Sequence, residues 1–151
     1  MKPLIVLLSV FVISAVSLKI AGGNWNPIFS ANLAMTIMLC FAAMGHFMYT
    51  KGMMMMVPQF LPFKKGIVYI TGIAEILLGL ALLFTQYRET TGIALIVFFI
   101  LMLPANISAA IQHIDYEKET NQGKGKNYLW FRVPLQILFI VWVYLSAVHH
   151  R

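Results

Sequence analysis

The sequence predicts an all-α integral membrane protein of five spans, and three observations point to it. Of the 151 residues, 60% are hydrophobic and only 11% are charged, where a soluble domain carries about 25% charged residues. Apolar runs near the roughly 20 residues that cross a bilayer core recur five times along the chain. The intervals between them are short. The longest, HIDYEKETNQGKGKN at 113–127, leaves no room for a soluble domain.

The first run covers 3–21 and defines an N-terminal transmembrane helix within residues 1–22. Its alternative is a signal peptide cut after Ser17, with Ala15 and Ser17 as the small residues. The charged start is a single lysine, Lys2, and the apolar stretch continues past that cut, so a retained helix is the reading taken. The next four runs, at 29–49, 66–84, 91–112 and 129–148, form a four-helix membrane domain spanning 29–148. Pro104 lies inside the fourth run and leaves the carbonyl of Ile100 without its usual donor, which predicts a kink.

The net charge of +6 and pI near 9.6 invite a nucleic-acid reading. That reading needs basic residues clustered on a soluble face. Here they punctuate apolar runs, so the partner is the lipid bilayer and not nucleic acid. With the N-terminus in the cytoplasm, eight basic residues (Lys2, Lys51, Lys64, Lys65, Lys118, Lys124, Lys126 and Arg132) fall inside and three (Lys19, Arg88 and Arg151) outside. The bias predicts a multi-pass protein of a bacterial cytoplasmic membrane, N-terminus in and C-terminus out. Cys40 is the single cysteine, so neither an intrachain disulfide nor a cysteine metal cluster is available.

Polar residues inside the spans mark the candidate site. Glu75 is the one acid well inside a run, in ITGIAEILLGLALL, and a charge at the bilayer centre costs about 2.5–3.5 kcal/mol on insertion scales. An unpaired carboxyl there stays protonated unless a cation lies close. Thr71, Gly72 and Gly79 share its helical face, small enough for another helix to approach closely. His46, Asn106, His113, Arg132 and Gln136 all fall in the cytoplasmic half, below Glu75. Asn106 and His113 stand seven apart on the fourth run, and Arg132 and Gln136 four apart on the fifth.

Glu75 and His46 are the candidate proton-handling pair, and Asn106, His113, Arg132 and Gln136 the candidate ligand-binding groups. The plainer readings are interfacial histidines, an arginine snorkelling beside Trp130 and Tyr128, and amides that only bond helix to helix. A further alternative pairs Glu75 with Arg132 as a buried structural ion pair.

In MGHFMYTKGMMMMVPQFLPF at 44–63, four adjacent methionines raise the question of copper(I), which thioethers bind. Neighbours on a helix point in different directions, so consecutive methionines make poor joint ligands, and no metal site is assigned. Methionine as adaptable filler is the preferred reading. Pro58 and Pro62 break any helix, giving an amphipathic segment on the inner leaflet.

GHF at 45–47, MVPQFLP at 56–62, VYITGIAEILLGLALL at 68–83, LPANI at 103–107 and RVPLQ at 132–136 occur in that order, a pattern that resembles the DoxX-like membrane proteins over about 33–145. The first helix lies outside their usual four-helix core. The resemblance implies relatives of a membrane subunit of an archaeal thiosulfate:quinone oxidoreductase and of a protein needed for methylamine use. It also implies a functional weight for His46, Pro58, Pro62, Gly72, Glu75, Pro104, Asn106, Arg132, Pro134 and Gln136. The sequence has no cysteine pair, haem-attachment motif or nucleotide-binding glycine loop. A membrane quinone or a membrane-embedded partner subunit is then the expected electron carrier. The non-enzymatic alternative is an assembly partner or a carrier of a lipid or small molecule.

Overall fold

The computed structural model describes residues 2–22, 25–115, 117–123 and 126–149, with 126–129 described by their backbone. All regular structure among the described residues is helical, apart from one isolated bridge between Asp115 and Thr120. The helices are α1 (Lys2–Ile20), α2 (Pro27–Met48), α3 (Thr50–Met56), α4 (Lys64–Ala81), α5 (Arg88–Ile111) and α6 (Lys126–Val143), which continues as a π-helical turn, Tyr144–Val148. Each expected run contains one long helix, displaced by a few residues at its ends.

Four stretches are long and apolar enough to cross a membrane: Lys2–Ile20, Pro27–Met48, Arg88–Ile111 and Trp130–Val148. By helix length and composition the chain is thus a multi-pass membrane protein. α4 is the fifth long helix, but its 18 residues carry Lys64, Lys65 and Glu75. Exposed side chains such as Ile13, Ile70 and Leu101 clothe the outer faces in the manner of helices bathed in lipid.

Local chemistry sets the helix limits. Asn26 caps α2, its side-chain oxygen accepting from the Phe29 N–H at 3.0 Å, and Pro27 fills the first position, where no donor is needed. α3 ends at Met56, before Pro58. Phe63 adopts a left-handed backbone (φ 55°) that redirects the chain into α4. The methionine segment was expected as an amphipathic stretch on the inner leaflet, and within it α3 buries Gly52 and Met56 and packs against α4 and α5.

Three principal helix contacts organise the bundle. α2 packs on α1 and, antiparallel, on α4, and α5 packs on α6 and its π-helical turn. α1 lies against the outside of α2, and Phe11 meets Trp142 edge to face at 5.2 Å. A core of Leu7, Met35, Leu39, Leu95, Phe139 and Val143 joins the helices. In lipid such helices are held by close packing and interhelical hydrogen bonds, not by water exclusion.

The tightest approach in the α2–α4 contact is at Gly72. A Cβ added there would stand 2.9 Å from the His46 Cβ. Thr36 ties the same two helices farther along, its hydroxyl 2.6 Å from the Gly79 carbonyl.

Gly72→Val should therefore force α2 from α4 and destabilise the protein by about 1–3 kcal/mol. The readout is a lowered thermal unfolding midpoint in detergent. Gly66→Ala, whose added carbon meets only the Phe63 Cβ at 4.0 Å, is the control expected to leave that midpoint in place.

Candidate functional site

Between the α2–α4 and α5–α6 pairs lies a cavity of about 600 Å³. Its walls are mainly apolar, from Met38, Leu39 and Phe41 on α2, Met53 and Met56 on α3, and Phe98, Phe99 and Phe139 on α5 and α6. His46, Glu75, Asn106, Arg132 and Gln136 converge on it. Helical phase accounts for this convergence on α6, where Arg132 and Gln136 stand one turn apart and face the same way.

His46 and Glu75 meet across the α2–α4 contact. In an antiparallel pair each side chain leans toward its own helix's N-terminus, so the two lean toward one another. Both are largely enclosed, and Nε2 of His46 stands 3.6 Å from Oε2 of Glu75. That distance exceeds a hydrogen bond, and among the described residues Oε2 has no hydrogen-bond partner.

The opposite edge of the imidazole is fixed. Nδ1 lies 3.0 Å from the Val68 carbonyl, which can only accept, so Nδ1 carries a proton. The Thr71 hydroxyl, 3.2 Å from Nδ1, is committed as donor to the Ile67 and Val68 carbonyls at 2.8 and 3.0 Å. Nε2, the ring's other nitrogen, is the one that faces the Glu75 carboxyl.

Sequence depth alone suggested Arg132 as the carboxylate's ion-pair partner. The structure corrects this: Glu75 faces His46, and Arg132 Nη1 donates to Asn106 Oδ1 at 2.9 Å. The reason is rotational. Arg132 projects from α6 toward α5, where Asn106 meets it.

From there a directional chain runs inward. Asn106 Nδ2 donates to Gln136 Oε1 at 3.0 Å, and Gln136 Nε2 donates to the Phe99 carbonyl. The arginine can only donate and the carbonyl can only accept, so both amide orientations are set by the two ends. Each amide keeps one N–H beyond these bonds. Phe99 directly precedes Ile100, the carbonyl that Pro104 deprives of a donor, so Gln136 bonds α5 where its own ladder weakens.

His113 is not brought to the cavity. α5 ends at Ile111, and His113 turns into the left-handed region (φ 55°), exposed, with its carbonyl accepting from the Gly123 N–H. The seven-residue spacing from Asn106 therefore carries no common face, because the helix stops between them.

Sequence reasoning also missed a polar set at the other end of the bundle. Asn32, fully buried, donates from Nδ2 to the carbonyls of Ile28 and Ser146 at 2.9 and 3.0 Å. The Trp142 indole N–H reaches the Ala31 carbonyl at 3.1 Å. The available signal was Asn32 and Thr36 one turn apart within an apolar run, with Trp142 and Ser146 at the same interval on α6.

Truncating Gln136 to Leu leaves Asn106 Nδ2 and the Phe99 carbonyl without their partner, and should cost about 1–2 kcal/mol. An Asn106→Leu/Gln136→Leu double-mutant cycle, read by reversible unfolding in mixed detergent, should show coupling of about 0.6 kcal/mol or more. Strict additivity would show that the amides do not act as one chain.

No curated protein and no solved structure matches the chain. One family model matches residues 35–147, from within α2 to the π-helical turn, taking in His46, Glu75, Asn106, Arg132 and Gln136 and leaving α1 outside. The chain belongs to the family described as Domain of unknown function (DUF8561).

Proposed function

We propose that this protein binds a membrane quinone, or a molecule of that amphiphilic kind, in the cavity between its two helix pairs. It would do so as a quinone-interacting subunit of a membrane oxidoreductase system. The observation that carries the reading is the joint arrangement of an apolar cavity of about 600 Å³, a His46–Glu75 pair 3.6 Å apart and an ordered amide chain on its walls. Small-molecule sites hold about 300–1,000 Å³ and combine apolar walls with a few placed polar groups. A quinone head and the first part of its chain fit that description.

A bound quinone supplies reversible uptake of electrons and protons. The chain's own groups have separate tasks. The remaining N–H groups of Asn106 and Gln136 are suited to the head's carbonyl oxygens, and Arg132 holds Asn106 in the orientation that presents them. His46 and Glu75 hold the proton to be moved between Nε2, Oε2 and the ligand. Electrons would arrive from a membrane-embedded partner subunit.

Several finer assignments belong to the same proposal. The DoxX-like relation rests on the ordered motifs at 45–47, 56–62, 68–83, 103–107 and 132–136; the family model that matches is that of DUF8561. Five spans follow if α4 crosses with the other four. Its antiparallel packing on α2 favours this, as does the contact of Lys2 with Glu117, 2.7 Å apart, which puts the start of α1 at the same end as the loop after α5. The excess of Lys and Arg at that end assigns it to the cytoplasm of a bacterial inner membrane.

A non-enzymatic reading, a lipid or small-molecule carrier or an assembly partner, draws on one observation. Glu75 Oε2 is itself enclosed, as suits a pair whose task is to lock α4 on α2. His46, not Arg132, would then be the structural partner.

Mass spectrometry of organic extracts from purified protein separates the two. The quinone reading expects a quinone with the wild type, and about tenfold less with a folded Glu75→Gln variant. An empty wild type, together with a Glu75→Gln variant that fails to accumulate in membranes, would transfer the pair to the structural role.

A further inference from the structure

The cavity is not sealed by the bundle. Phe60 and Leu101 both line it, yet they are 81% and 67% exposed. Leu101 stands on α5, a membrane-length helix, so this side of the cavity faces lipid and not water. Beyond the opening lies a second hollow of about 420 Å³ along the last turns of α5, where Ile107 and Ile111 form its floor. The two hollows share Pro58, Phe60 and Pro104. Two of these are prolines with no N–H and the third is a phenyl ring, so their side chains offer no hydrogen bond to water or to a polar ligand. An apolar chain passes such a doorway at no desolvation cost, whereas a polar group gives up hydrogen bonds to do so.

We infer that the ligand carries a long apolar chain, which leaves the cavity sideways between Pro58, Phe60 and Pro104 and lies along Ile107 and Ile111. The ligand therefore enters and departs through the bilayer. This rests on the ligand-binding reading above and extends it to the ligand's tail. Adjacency of the two hollows across a shared apolar edge is what selects a tail over a compact molecule. A head alone would occupy the polar end and leave the doorway and the outer hollow unused.

The test uses the full-length protein in lipid nanodiscs and three probes: a benzoquinone head without a chain, the same head with a long prenyl chain, and a single-chain phospholipid. Affinities are corrected for partition into the bilayer. The long-chain quinone should bind at least about tenfold more tightly than the chainless head. Ile107→Asn should remove that advantage while leaving the chainless head unchanged. Ile111→Trp, which fills the outer hollow without adding a charge, should do the same and serves if the first variant folds poorly.

Equal affinity for both heads in the wild type would overturn the inference, as would variants that weaken both heads alike. Binding of the single-chain phospholipid alone, with the same dependence on Ile107, would support the doorway and reject the quinone. Failure of all three probes to bind would overturn both.

Discussion

The approach of α2 to α4 at Gly72 is the constraint on which the site depends. Because position 72 has no side chain, the His46 Cβ occupies the space that a Cβ there would fill, 2.9 Å from where it would stand. His46 thereby comes within reach of Glu75, one turn farther along α4, and its ring lies along the carbonyl of Val68, one turn back. The acid, the base and the group that fixes the base's tautomer thus follow from one short stretch of helix, Val68–Glu75. Widening that contact would separate the Glu75 carboxyl from the His46 imidazole within a largely apolar bundle.

Hydropathy fixes where a residue lies along the membrane normal, and in that coordinate the sequence was readable. The long helices, to within a few residues at their ends, and the gathering of His46, Glu75, Asn106, Arg132 and Gln136 on one cavity follow from run lengths and spacing. Rotation about each helix axis is set by packing, and the errors lie there. Depth made Arg132 a candidate partner for Glu75, but Arg132 turns to Asn106 while His46 leans across from α2. His113 failed for another reason: the helix that would have carried it into phase ends at Ile111. Methionine as adaptable filler was readable in the segment's composition, but that α3 lines one side of the cavity follows from its neighbouring helices.

The two ends of the bundle handle polarity differently. At the end where α2 begins, Asn32 and Thr36 bond to backbone carbonyls on α6's π-helical turn and on α4, and Trp142 returns a bond to α2. Asn32 thereby bonds the Ser146 carbonyl within the π-helical turn. In the same region Gly92 lets α5 approach so closely that an added Cβ would stand 2.9 Å from that of Ala147. These bonds join helices to one another. At the other end the polar groups bond one another along a cavity wall and keep hydrogen-bonding capacity to spare. Chains of equal polarity thus serve as fastening at one end and as a prepared surface at the other.

The cavity wall itself is divided in stiffness. Arg132, Asn106, Gln136 and the Phe99 carbonyl form a chain whose donor and acceptor order has a single solution, and the His46 ring is fixed by Val68 in the same way. The apolar lining includes Met38, Met44, Met48, Met53, Met56 and Met102, drawn from three helices. Thioether side chains are unbranched and reshape at little cost, which suits contact with a surface that varies. A rigid polar edge distinguishes ligands by the placement of their oxygens. A soft wall accepts the remainder of the molecule with little regard to its shape. Selection by the head and tolerance for the tail is the behaviour expected of a site that draws its ligand from a membrane, where the tails are many and the heads are few.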